Sequence, residues 1–185
     1  GDWSSDVCSS DLWWIISTDT PNLGRSVDST PGARGIFLGG NKGGSPSVTP
    51  RIDYINIAST GDATTFGDMS TARAGLNSGS LSSRTRGIRV GGDGLTNEIR
   101  FVTIASTGDE QTFGTLDSSR RQMSSVSNQI RGVFGGGTPT NRDELEYLTI
   151  ASTGNSNAFG DLTRIRDGAA GLSSPTRGVY AAGGT

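Results

Sequence analysis

The stretch "IASTGDATTFG", Ile57 to Gly67, decides how this chain is read, because it is written twice more: "IASTGDEQTFG" from Ile104 and "IASTGNSNAFG" from Ile150. Taking the Ile as anchor, the separations are 104 − 57 = 47 and 150 − 104 = 46, and Phe66, Phe113 and Phe159 each stand nine residues after their anchor. An aromatic precedes each anchor by three (Tyr54, Phe101, Tyr147), and an arginine follows each Phe by seven (Arg73, Arg120, Arg166). Register held over this distance marks a structural repeat. A catalytic loop is needed once per protein, whereas this element is written once per unit, so it reads as scaffold.

A second block recurs between the anchors: "RGIFLGG" at Arg34, "RGIRVGG" at Arg86, "RGVFGGG" at Arg131 and "RGVYAAGG" at Arg177. Each unit then reads as four short extended pieces. The Arg-Gly block is an apolar run closed by a glycine pair, followed by a variable polar loop. Next comes an alternating strand such as "RIDYINIA" (Arg51 to Ala58), then a return strand around "TFGDM" (Thr65 to Met69) and a last piece, "ARAGLNSGS" (Ala72 to Ser80). The anchor motif reads as a hairpin, with Ser59 and Thr60 bonding their own backbone, Gly61 supplying positive φ and Phe66 filling the core. Glycine density and the lack of 3.6-residue apolar spacing oppose helix throughout.

A period near 46 with four strands per unit matches propeller blades better than β-helical coils or helical repeats. The fold class expected is therefore all-β: kelch-like β-propeller blades, four-stranded and antiparallel with a period of about 46–47, in an incomplete propeller of about three to four blades. On this reading Gly39, Gly40, Gly91, Gly92, Gly135 and Gly136 are glycine because inner strands crowd a central channel. A phosphate-cradling loop would instead need a helix N-terminus just after it.

The string "LTRIRDGAAGLSSPTRGVYAAGG" (Leu162 to Gly184) resembles the kelch repeat: an arginine strand, a small-residue strand and an apolar strand ending in double glycine. Phe66, Phe113 and Phe159 stand where kelch repeats place Trp, which marks a divergent branch. From Gly35 to Thr185 the alternation of "IASTG", "FGDL"-type and "RGVFGGG"-type pieces resembles the repeat proteins of marine tailed phages. That resemblance implies a kelch-like propeller in a virion-associated protein, a tail or fibre component.

The start of the chain stands apart. "GDWSSDVCSSDL", Gly1 to Leu12, shares nothing with the repeats and resembles a translated sequencing adapter, so residues 1–12 are read as a non-native leader. Residues 13–34 read as a degenerate or truncated blade portion: "WWIISTDTPNLGRSVDS" (Trp13 to Ser29) loosely echoes the anchor hairpin but reaches Arg34 too soon. Residues 35–185 carry the repeats. Missing blades or a homo-oligomer would then close the ring.

Composition limits the chemistry. The chain of 185 residues has 16 basic and 18 acidic residues with no basic patch, which argues against a nucleic-acid partner. It has no His and one Cys, which removes the commonest base and metal ligand and any internal disulfide. No apolar run approaches the roughly 18 residues of a membrane span. No cofactor, metal or catalytic set is expected. In particular, a copper radical oxidase site would need His ligands. Asp68, Asp161 and the recurring Arg73, Arg120 and Arg166 read as local ion pairs or turn hydrogen bonds.

What differs between units is the loop after the glycine pair: "NKGGSPSVTP" (Asn41 to Pro50), "DGLTN" (Asp93 to Asn97) and "TPTNRDE" (Thr138 to Glu144). In an antiparallel unit these lie at the end opposite the Ser-Thr-Gly turns. Scaffolded variable loops are common binding sites, so Asn41, Lys42, Asp93, Asn97, Asn141 and Arg142 are the candidate ligand-binding residues. The expected partner is a host-surface glycan or another virion protein, in a virion or extracellular setting. The alternatives are a fragment of a divergent propeller hydrolase or lyase whose catalytic blades lie elsewhere, and a cellular extracellular adhesion module.

Overall fold

In the computed structural model, residues 34–41, 47–73, 79–140 and 142–184 are described. The proposed leader, nearly all of the degenerate portion, Lys42 and Asn141 lie outside them. The described residues are all-β, with thirteen strands in four antiparallel sheets and no helix. The first sheet holds β1 (Arg34–Asn41), β2 (Val48–Asn56) and β3 (Thr64–Asp68). The second holds β4 (Gly79–Ser82), β5 (Arg86–Val90), β6 (Glu98–Thr103) and β7 (Gln111–Thr115), in that order. The third repeats it with β8 (Ser124–Ser127), β9 (Arg131–Gly135), β10 (Arg142–Thr149) and β11 (Asn157–Arg166). Paired β12 (Ala170–Ser173) and β13 (Gly178–Ala181) form the fourth.

The Arg-Gly blocks are thus β1, β5, β9 and β13, and the strands that lead into the anchors are β2, β6 and β10. Each anchor strand meets its return strand through a register break: Ile52 and Asp53 face Gly67 and Thr65, Ile99 and Arg100 face Gly114 and Thr112, Leu145 and Glu146 face Gly160 and Ala158. The residue skipped on the return strand is Phe66, Phe113 or Phe159. A bulge of this kind re-aims a side chain. Here it turns each Phe onto the aromatic three residues before the anchor, edge to face at 5.9, 6.0 and 6.1 Å.

The sheets stack face to face in chain order. Strand β6 shows why: Ile99 and Phe101 join a cluster with Phe134, Leu148 and Ile150 of the third sheet, while Val102 on its other face joins Ile52, Phe66 and Met69 of the first. The second sheet is therefore buried on both sides, and its anchor strand reads Ile-Arg-Phe-Val rather than alternating apolar with polar. The first strands of successive sheets abut through short polar side chains. Ser125 Oγ receives the Ser80 N–H at 3.0 Å and donates to the Ser80 carbonyl at 2.9 Å, Ser127 repeats this with Ser82, and Ser173 Oγ donates to the Ser127 carbonyl at 2.9 Å. Small residues are what let these strands approach.

Two sequence expectations gain detail here. The glycine pairs are crowded by the segment that leaves the sheet: Gly39, Gly91 and Gly136 have φ between +57 and +67, and the following glycine donates its N–H to the carbonyl of Arg73, Arg120 or Arg166 at 2.9–3.1 Å. At Gly91 a Cβ would stand 2.5 Å from that carbonyl. The pair holds the segment leaving its own sheet, and in the third unit it is Gly136 and Gly137 that do so. The recurring arginines do more than pair locally: Arg120 meets Asp117 at 3.2 Å within its own unit, but it is fully buried, and both Arg73 and Arg120 also reach carboxylates of the next unit.

Candidate functional site

The repeated undecapeptide joins neighbouring sheets. Its Ser N–H closes a turn onto the strand just left, as Ser106 does onto the Thr103 carbonyl at 3.2 Å, but the next residues run along the preceding unit. Gly108 N–H donates to the Phe66 carbonyl at 2.8 Å, Glu110 N–H to the Asp68 carbonyl at 3.1 Å, and Asp109 Oδ1 accepts the Asp68 N–H at 2.9 Å. One unit on, Gly154, Ser156 and Asn155 make the same contacts with Phe113 and Thr115. The turn glycine was expected to supply positive φ, yet Gly61 and Gly154 do not adopt it. The crowded glycine is the one after Phe: a Cβ on Gly67 or Gly114 would fall on the carbonyl of the arriving turn.

The Arg-Gly arginine is a second link. Arg34, Arg86 and Arg131 lie over Tyr54, Phe101 and Tyr147, each at 4.6 Å from the ring centroid. Beyond the ring, Arg34 donates to the carbonyl of Ile104 at 2.8 Å, and Arg86 to that of Ile150 at 2.9 Å. One guanidinium thus fixes its own anchor strand and the next anchor together.

Charge is concentrated where the first and second sheets meet. Arg89, on β5, is buried and forms an ion pair at 3.1 Å with the fully buried Glu110, which also accepts the Ser70 N–H and hydroxyl at 3.0 and 2.8 Å. Glu98 receives Arg100 at 2.9 Å and Arg73 at 3.2 Å, with Arg89 at 3.7 Å. Burial pushes the Glu98 carboxyl up, but the Arg100 hydrogen bond and the charges of Arg100, Arg73 and Arg89 outweigh it and hold the group below its usual range. The next unit has its own buried pair, Arg120 with Glu146, and Ser156 Oγ donates to the same carboxylate. Burial lowers the Arg120 pKa against the opposing pull of Asp117. Burial likewise raises that of Tyr180, whose hydroxyl donates to the Val133 carbonyl at 3.0 Å.

At the opposite end from the Ser-Thr turns lie the candidate loops. Asn41 is exposed at the end of β1, paired with Val48. The Asp93 carbonyl accepts from Arg73 at 2.6 Å, and its half-exposed carboxylate from Arg121 at 3.0 Å. Asn97 contributes its carbonyl to Leu116 N–H at 2.8 Å. Arg142 meets Glu144 at 2.9 Å and the Thr140 hydroxyl at 3.2 Å. The structure thus ties Asp93, Arg73 and Arg121 together, and keeps Arg142 in its own unit.

Sequence reasoning missed Arg89, Glu98, Glu110 and Glu146. A signal existed for the first: Arg89 stands in the Arg-Gly block where Phe37, Phe134 and Tyr180 stand in the other units. A cation at an aromatic's position calls for a buried carboxylate, and Glu110 is in the one turn that carries a Glu there.

No protein-family model matches the chain, and no curated protein matches it. Among the described residues no group of three or more His, Cys, Asp or Glu side chains could hold a metal ion, and no helix is long and apolar enough to cross a membrane.

Proposed function

We propose that this chain is a kelch-like β-propeller array of a virion-associated tail or fibre protein, and that it is a binding scaffold rather than an enzyme. One observation carries the reading: the Arg-Gly arginines and the turn backbone that recur from unit to unit are spent on contacts between sheets, and what varies is the polar loop end at Asn41, Asp93, Asn97 and Arg142. Sequential four-stranded antiparallel sheets, stacked face to face, support the propeller. Loops of this composition offer amides, carboxylates and guanidinium groups, which suit the hydroxyls of a host-surface glycan better than an apolar protein face. Another virion protein is the second occupant the phage resemblance implies.

The test is binding of the purified chain to a glycan array and to isolated host envelope. The triple variant Asn41→Ala, Asn97→Ala, Arg142→Ala should lose binding at unchanged thermal stability. Failure to bind any glycan, envelope fraction or virion protein would overturn the proposal.

A further inference from the structure

Three non-glycine residues among those described hold left-handed backbone: Leu95 at φ 52, Gln122 at φ 58 and Ala182 at φ 59. Side chains rarely adopt this region, and where one does, the strain is retained for another need, commonly at a ligand site. Ala182 stands where the other Arg-Gly blocks have the first glycine of the pair, and its methyl group carries no chemistry. Gln122 departs from the repeat in a different way. It lies two residues after Arg120, and two residues after Arg73 and Arg166 the chain has Gly75 and Gly168, the latter at φ 57. The neighbouring units thus use the residue that fits without strain, and the second unit replaces it with a long amide. Leu95 follows Gly94, itself at φ 88, at the tip of the Asp93 loop, a place suited to Asn or Gly. Its side chain is 41% exposed, so core packing does not account for it.

The two strained residues flank one ion pair. Leu95 is two residues beyond Asp93, Gln122 is next to Arg121, and the Asp93 carboxylate meets the Arg121 guanidinium at 3.0 Å with both side chains open to solvent. Gln122 Oε1 accepts the Thr138 hydroxyl at 3.0 Å, while among the described residues its amide nitrogen makes no hydrogen bond. One partly buried hydrogen bond offsets only part of the strain.

We propose that Asp93, Leu95, Arg121, Gln122 and Thr138 form a subsite for a neutral pyranose, at the loop end where the second unit meets the third. The inference rests on the glycan reading and narrows it to one place and one ligand class. Asp93 answers the charge of Arg121, so the pair does not select an anion. What remains on offer is N–H donors from Arg121 and Gln122, acceptors from Asp93 and the Thr138 hydroxyl, which complement adjacent ring hydroxyls that each donate and accept. Leu95 supplies apolar surface for the C–H face of the ring. Strain held in the free chain places these groups before the ligand arrives, which lowers the cost of binding.

The test is titration of the isotope-labelled chain with methyl α-glucoside, methyl α-mannoside and methyl α-galactoside, read by nuclear magnetic resonance, alongside thermal melts. At least one of the three should shift the Gln122 side-chain amide and the Leu95 methyl signals in a saturable manner. Gln122→Gly and Leu95→Asn should each melt no lower than the unmodified chain and bind that glycoside severalfold more weakly, a combination that a purely structural role would not give. Unchanged affinity in both variants would overturn the proposal, and so would a Gln122→Gly chain that melts lower. Shifts confined to Asn41, Asn97 and Arg142 would overturn this subsite and leave the glycan reading standing. No response to any of the three glycosides, together with an empty glycan array, would overturn both.

Discussion

Gly114→Ala puts the contact between sheets under the most direct strain. The new Cβ would fall on the Gly154 carbonyl and stand 2.9 Å from the Asn155 nitrogen, and both obstacles are backbone, so no rotamer change can relieve them. The arriving turn must move outward, at the expense of the Gly154 to Phe113 bond at 2.9 Å, the Ser156 to Thr115 bond at 3.1 Å and the Thr115 to Asn155 bond at 3.1 Å. At about 0.5–1.5 kcal/mol each, the three sum to about 1.5–4.5 kcal/mol, which is also the range in which forced overpacking falls, about 1–3 kcal/mol. A loss of about 3 kcal/mol should lower Tm by roughly 6–12 °C in a domain of this size. Gly154→Ala is the control: it lies across the same contact, its Cβ would meet nothing within 4 Å, and it should stay within about 0.5 kcal/mol. Urea titration and thermal melts of both variants read the difference. A Gly114→Ala protein as stable as the control would refute the argument.

Three further outcomes follow from the packing and the charges. Phe113→Ala should cost about 3–5 kcal/mol in urea titrations, and Phe159→Ala, at a half-exposed site, distinctly less. Glu110→Gln leaves the buried Arg89 with only the more distant Glu98 carboxylate at 3.7 Å and should cost up to about 3–5 kcal/mol, whereas Arg89→Phe with Glu110→Gln, which installs the aromatic of the other units, should recover most of it in the same titration. Because the Glu98 carboxyl titrates lower folded than unfolded, its stabilisation is present above the unfolded value of about 4.3. It is lost as pH falls through the folded value. Stability measured across that acid range should fall less steeply in Glu98→Gln.

The strands were legible because their signals are local. Anchor spacing, the Arg-Gly blocks and the absence of helical periodicity place β1, β5, β9 and β13 and their partners where the structure has them. The purpose of the turn was not, since Gly108 and Phe66 are neighbours only once two sheets are stacked, and nothing local distinguishes a glycine that needs positive φ from one that faces another backbone. The same holds for Arg120 and Glu146: their contact spans two units, and a spacing rule applied within one unit reads the arginine as a surface group. The candidate loops were placed at the correct end of the sheets by antiparallel geometry. That Asp93 is engaged by Arg73 and Arg121 follows only from the path of the exit segments.

The central claim, that the repeated undecapeptide straps the second and the third sheet to the one before it, is tested most directly by amide hydrogen exchange at Gly108, Glu110, Gly154 and Ser156. These four amides lie in connecting segments, where exchange is ordinarily fast. The account predicts protection comparable to that of neighbouring strand amides such as Phe101, lost at Gly154 and Ser156 in Gly114→Ala. Fast exchange at all four amides in the unmodified protein would contradict it.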